Sequence, residues 1–317
     1  MTPTVYRFDD PGAPQITTGA PSEYMNVIKK CLVDGYGDKL PLGWSVMDED
    51  TSSSPFLAVK NGAAGTGGVF MIDASENNYN STFTVQCAID YVDRNTFARV
   101  SRKTAQRNGS SSSSHICSNW ILIGTERCYY FICTSPSISS RSYFNGSTAQ
   151  LAWFAGDIDS FINNDPASFT LLIGREDINH DDDNNMLYHL TYATADDALI
   201  MLSVDGSDIS QAHSLNSIFG HAFSQNDASL RTATPTINIL TDIYILSSAA
   251  VYTSFYTPDD PNFPRLRGKL PGLRITDSVG YMEEAFPFFK TINNLNHLKI
   301  PSTTGYNNML WLDLESW

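Results

Sequence analysis

The sequence predicts an α+β, β-rich fold: an antiparallel multistranded sheet or sandwich with one N-terminal helix packed on it. Three observations carry this expectation. Asn119 to Thr134 holds two apolar, β-prone runs joined across Gly124-Thr125-Glu126; one segment alone, after Pro21, has helical periodicity; and most of the rest is short β-prone runs separated by Asp, Asn, Ser and Gly.

The central stretch reads as a β-hairpin. Ile121, Ile123, Tyr129, Tyr130, Phe131 and Ile132 are β-branched and aromatic types that suit a pleated surface, and a Gly-containing link of this length is a common hairpin connection. Both arms are apolar at nearly every residue, so both faces of the ribbon are expected to be covered. Phe169 to Asp177 echoes the same phrase, although two short matches do not establish a repeat.

Residues 1 to 20, with three prolines and two glycines, read as an extended N-terminal arm that orders against a neighbour. Ser22 is the expected N-cap of a helix, followed by Tyr24, Val27, Ile28, Cys31 and Leu32 on one face, with Gly35 as the stop. Lys29 and Lys30 near its end suit the helix dipole. Strands are expected at Trp44 to Met47, Pro55 to Lys60, Gly68 to Ala74 and Phe83 to Val92, then at Gln150 to Phe154, Leu187 to Tyr192 and Ala198 to Val204, the last two forming a hairpin. The serine-rich stretch from Gln106 to Ser114 has the composition of a surface loop, and long loops are expected from Gly206 to Pro235. Ile237 to Leu246 is a strong strand, Arg267 to Leu273 reads as a rigid turn, and Leu310 to Trp317 is a last strand tied down by Trp311. The division that follows is an arm (1–20), a main domain (21–246) and a wrapping segment (247–317) that either stands apart or closes the same core.

At 317 residues and 42% hydrophobic content the chain can bury a sizeable core. A net charge of −14 disfavours nucleic acid or an anionic membrane as the main partner. The start lacks a cationic region followed by an apolar one, so no signal peptide is expected, and no run is long and apolar enough for membrane insertion. The five cysteines show no CxxC spacing and are expected as reduced, buried thiols.

Asp177, Asn179 and Asp181 have the spacing of the first calcium-loop ligands, but Asp182 stands where glycine is needed and Tyr188 where the closing glutamate belongs. A solvated acidic turn is the plainer reading. His180 and His189 form no zinc spacing. The glycine-rich run from Gly62 to Gly68 lacks the lysine and helix start of a phosphate loop, and no Gly-x-Ser-x-Gly elbow occurs. Asp157, Asp159 and Asp165 are loop carboxylates whose use as a glycosidase pair depends on a separation that sequence cannot supply. Arg94, Arg99, Arg102, Lys103 and Arg107 form a basic cluster in an acidic chain, suited either to solvent or to an acidic neighbouring subunit. Arg267, Gly268, Pro271 and Gly272 are interface candidates of another kind, offering backbone geometry for locking the C-terminal segment onto the main domain or an adjacent subunit.

Three phrases in order, Cys31 to Lys39 with Gly43-Trp44, then Trp120 to Arg127, then Arg267 to Leu273, resemble a group of poorly characterised virion structural proteins of tailed bacteriophages. The resemblance spans residues 21 to 317, departs after Leu273, and rests on Gly, Trp and apolar positions that specify a fold and no chemistry. It implies a non-enzymatic virion component made in the host cytoplasm, without cofactor. The favoured place is a multi-copy tail or neck position, with copies of itself and other virion proteins as partners. The alternatives are a capsid decoration protein and, on the strength of fifteen tyrosines and five tryptophans, a binder of a host-surface glycan or receptor. A cell-wall hydrolase is the enzymatic alternative.

Overall fold

The computed structural model describes residues 1–78, 81–101, 103–106, 116–136, 150–173, 186, 199–201, 206, 211–217, 224–225, 233–236, 239–247, 266–276, 280–281, 284–301 and 307–317. In chain order the strands are β1 (Thr4–Arg7), β2 (Ser45–Asp50), β3 (Phe56–Lys60), β4 (Val69–Ala74), β5 (Phe83–Asp93), β6 (Thr96–Val100) and β7 (Thr104–Gln106). Next come β8 (Asn119–Gly124), β9 (Cys128–Thr134), β10 (Gln150–Asp157), β11 (Asp159–Ser160), β12 (Phe169–Leu172) and β13 (Leu199–Met201). The last are β14 (Gln211–Asn216), β15 (Ser224–Gln225), β16 (Leu240–Ser247), β17 (Leu266–Thr276), β18 (Phe289–Ile292), β19 (Leu295–Lys299), β20 (Asn307–Asn308) and β21 (Leu310–Asp313). The helix α1 covers Pro21–Lys29 and runs into a π-helical turn at Lys30–Asp34.

The fold is β-rich with one N-terminal helix, and its strand pairs are antiparallel. A five-stranded sheet, β1-β8-β9-β10-β12, lies between a six-stranded sheet in which β2-β3-β4-β5-β6 run in order and β7 adds to β5, and an eight-stranded sheet ordered β13-β14-β16-β17-β21-β19-β18 with β11 on β17. This layering explains why both hairpin arms are apolar throughout. Trp120, Leu122, Tyr129, Phe131 and Cys133 enter one core with Leu57, Val59, Phe70, Ile72 and the helix residues Tyr24, Val27 and Ile28. Their neighbours Ile121, Ile123, Cys128, Tyr130 and Ile132 point the other way, onto Ile243, Ile245, Leu273, Ile275 and Leu312. Successive side chains on a strand face opposite sides, so a strand between two sheets must be apolar at odd and even positions alike. Cys128 and Cys133 therefore lie in different cores; all five cysteines are buried and outside any disulfide.

Several expectations need correction. Residues 1–20 do not wait for a neighbour: β1 pairs with β8, with Tyr6 turned into one core and Val5 against the other. Tyr6 donates its hydroxyl hydrogen to the Leu40 carbonyl at 2.6 Å, and the Trp120 indole N–H is given to Pro14 O at 3.1 Å. A free edge of β8 would leave backbone groups unpaired, which this segment supplies. Nor is Ser22 the N-cap. Ala20 occupies that position with Pro21 at the first helical residue, where a missing N–H costs nothing, and the Glu23 carboxylate accepts the amides of Thr17, Thr18 and Gly19. Gly35 does end the helical segment, at φ +77°.

Arg267 to Leu273 is not a turn. It lies inside β17, which stays paired with β16 on both sides of it: Asp242 faces Arg274, whereas Tyr244 already faces Lys269. Leu270 to Leu273 thus stand against the single residue Ile243, and the excess is taken up as a bulge, the place in a sheet that tolerates Pro271 and a Gly272 at φ +69°. The region from 206 to 235, expected as loops, contributes β14, which pairs with β13 and β16. Residues 187–192, the expected partner of β13, lie outside the described residues. Because β16 and β17 share one sheet, the segments on either side of residue 246 share a core. Among the described residues no helix is long and apolar enough to cross a membrane.

Candidate functional site

The polar groups that drew attention in the sequence lie mainly where the sheets meet. The glycine-rich segment from Gly62 to Gly68 joins β3 to β4 and folds against the turn between β8 and β9, where Gly62 N–H donates to Glu126 O at 2.7 Å. Two of its amides serve internal anions, Ala64 N–H going to the Glu126 carboxylate at 3.3 Å and Thr66 N–H to Asp157 at 3.0 Å, while Gly65 and Gly67 donate to the neutral oxygens of Gly62 and Asn61. Asp157, fully buried, also accepts the Thr66 hydroxyl at 2.5 Å and the Asn61 amide at 3.0 Å. Burial pushes the Asp157 carboxyl up, against the pull of Thr66, Arg127 and Asn61. This segment presents amides to anions, and the anions it meets are the carboxylates of Glu126 and Asp157 from elsewhere in the chain.

Asp159 accepts from the same Arg127 guanidinium at 3.2 Å. Asp165 pairs with Arg267 through two bonds of 3.0 Å, from Nε to Oδ2 and from Nη2 to Oδ1. Burial alone would raise the Asp165 pKa, yet Arg267, the Ala167 amide and Ser160 together hold it below the ordinary carboxylate range. Arg267 Nη1 lies 3.0 Å from His213 Nε2; a guanidinium can only donate, so His213 accepts there and carries its proton elsewhere. Asp157 and Asp159 thus share the Arg127 guanidinium, at 4.0 and 3.2 Å, whereas Asp165 is tied to Arg267.

The interface candidates divide. Arg267 is wholly buried, and Gly268, Pro271 and Gly272 are buried too, so these four lie inside the chain and a neighbour could not meet them. Gly268 is required by the close pass of β11: a Cβ there would stand 2.5 Å from Asp159 O. Arg94 binds Asp73 and Asp50 and lies over the Phe56 ring, while Arg99 makes a two-pronged pair with Asp90 at 2.6 and 2.7 Å. Their charge is therefore largely answered within the chain. Lys103 is half-buried. Arg102, Arg107, Asp177, Asn179, Asp181, His180 and His189 lie outside the described residues. Among the described residues no three His, Cys, Asp or Glu side chains come together as metal ligands.

Sequence reasoning missed one concavity. A cavity of about 510 Å³ opens between the segment 233–236 and the β18–β19 hairpin, with Tyr281 and Ile292 as its buried floor. Thr234, Thr236, Thr291, Asn293 and Lys290 form its rim. Asn293 and Asn294, at φ +52° and +65°, make the two-residue hairpin connection, and an Asn pair between apolar runs was the signal for it. Tyr281 has φ +58°, a conformation rarely tolerated by a bulky residue. It is held by its N–H on Ala233 O at 3.0 Å and its hydroxyl on Pro235 O at 2.7 Å. Comparison of the chain with protein-family models, curated proteins and solved structures returned no match.

Proposed function

We propose that this chain is a non-enzymatic structural subunit of a bacteriophage virion, a multi-copy tail or neck component that works through contacts with copies of itself and with other particle proteins. The observation that carries the reading is the fate of the reactive-looking groups. Asp157, Asp159, Asp165, Arg127 and Arg267 are consumed in ties that join strands and sheets to one another. Asp157 and Asp165 are buried among donors, and Asp159, a quarter exposed, is held by Arg127; ties of this kind suit a shell whose layers must stay cross-linked. The phrases that resemble phage virion proteins coincide with that framework: the helix end and Trp44, the central hairpin, and the bulged β17.

For contacts with neighbours the chain offers the β5–β6 hairpin, where Val92 is 74% and Phe97 38% exposed beside arginines whose charges are already paired. Apolar side chains ringed by polar ones are the composition of an interface centre. The acidic edge strand β2, with Asp48, Glu49 and Asp50, discourages unspecific edge pairing. Mass spectrometry of purified mature particles tests the proposal: the chain is expected in many copies, and its absence from the particle would overturn the reading. Sedimentation of Val92→Glu with Phe97→Glu, against wild type, tests the surface; loss of self-association with an unchanged fold is expected.

A further inference from the structure

We infer that the cavity over Tyr281 is a binding site for an acidic saccharide, a sugar ring carrying a carboxylate. The inference stands independently of the assembly reading. Its first support is construction. Gly280 can take no side chain, since a Cβ would lie 2.5 Å from Ala233 O and 2.7 Å from Pro235 Cδ, and the next residue holds a left-handed backbone conformation through two hydrogen bonds to the same segment. Phe288 stacks against Tyr281 at 5.5 Å, and Trp311 meets it edge-on at 5.6 Å. Strain kept in place by its surroundings is a sign of a preorganised site.

The second support is the chemistry of the rim. Lys290 Nζ lies 4.7 Å from the Tyr281 ring centroid, and no carboxylate among the described residues lies within ion-pair distance of it. In a chain of net charge −14 such an ammonium is the natural seat of a ligand anion. Around it stand neutral hydrogen-bonding groups of the kind that read ring hydroxyls: Thr234 and Thr236 on one side and Asn293 on the other. Tyr281, stacked on Phe288 and overlain by Lys290, closes the floor together with Ile292 and gives the cavity an apolar base. The volume of about 510 Å³ is on the scale of a small-molecule site and open enough for a sugar at the end of a longer glycan.

Ligand-detected saturation-transfer NMR on the full chain tests this with sodium glucuronate, glucose and inorganic phosphate as probes. Glucuronate is expected to bind saturably, and glucose roughly tenfold more weakly because it lacks the charge-assisted contact. Lys290→Gln should abolish the preference for the acid, while Thr236→Val, at an exposed position that leaves Lys290 in place, should weaken both sugars and keep the preference. Failure of both sugars to bind overturns the site, and an undiminished preference in Lys290→Gln overturns the assignment of the cation. Phosphate displacing glucuronate at equal concentration would show a bare anion site and overturn the sugar assignment.

Discussion

Replacing Gly272 by valine puts a quantitative load on the bulge in β17. Gly272 sits at φ +69°, and a Cβ built there would stand 2.1 Å from the Trp317 Nε1 and 2.5 Å from its Cδ1 and Cε2. Two costs follow. A β-branched residue in the left-handed region is strained by about 1–3 kcal/mol. The indole must also move, and it cannot do so without loosening the 2.7 Å bond from its N–H to Asp313 O and its edge-on contact with Tyr130 at 5.5 Å. Those losses are worth about 1 kcal/mol for the hydrogen bond and about 0.5–1.5 kcal/mol for the aromatic pair. The sum is about 2.5–5.5 kcal/mol, centred on the junction of β17 and β21 and reaching the central hairpin only through Tyr130. Urea unfolding followed by fluorescence measures the total, and limited proteolysis of residues 310–317 reports where the structure opens. The cycle with Trp317→Ala separates the two terms: in that background Gly272→Val should cost only the backbone strain, a coupling of about 1–3 kcal/mol. Equal cost in both backgrounds would refute the argument that the ring is what the new side chain meets.

Three further outcomes are expected. Asp165→Asn leaves the buried Arg267 without its counter-charge and should cost about 3–5 kcal/mol in chemical denaturation. Since the folded Asp165 pKa lies below the unfolded value near 3.9, wild type keeps this stability above about pH 4 and loses it as pH falls through the folded value, and the variant should lack that acid-sensitive component. Lys299 behaves with the opposite charge logic: burial lowers its pKa to about 7, so between about pH 7 and 10 the unfolded chain holds a proton that the folded chain does not, and stability rises with pH. Lys299→Met should flatten that rise and stabilise the protein by about 2–4 kcal/mol at pH 7 and below, which thermal melts across the pH range would record. The Tyr130 hydroxyl is buried with no hydrogen-bond partner among the described residues, so Tyr130→Phe should stabilise the fold by about 1 kcal/mol; measurable destabilisation in urea would show that the hydroxyl is satisfied in solution.

The sequence by itself determined what short-range pattern can encode. Asn119 to Thr134 announces a strand pair covered on both faces because its two arms are apolar at nearly every residue, and it is flanked by cores on both sides. The helix face of Tyr24, Val27 and Ile28, the stop at Gly35, and β3, β4 and β5 were legible for the same reason: period and turn chemistry are local. What only the tertiary structure decided depends on partners far along the chain. β1 is polar enough to read as an arm and becomes a strand because β8 offers it an unfilled edge. Pro271 and Gly272 carry the local signature of a turn, and become a bulge because β16 continues past them in register on either side. Asp157 reads as loop decoration until Thr66, 91 positions away, brings it two donors, and Lys290 reads as a surface charge until Tyr281 and Thr236 arrive beside it. A hydrophobic period is written into consecutive residues, whereas a buried ion pair or a rim of donors exists only once separate strands have been laid side by side.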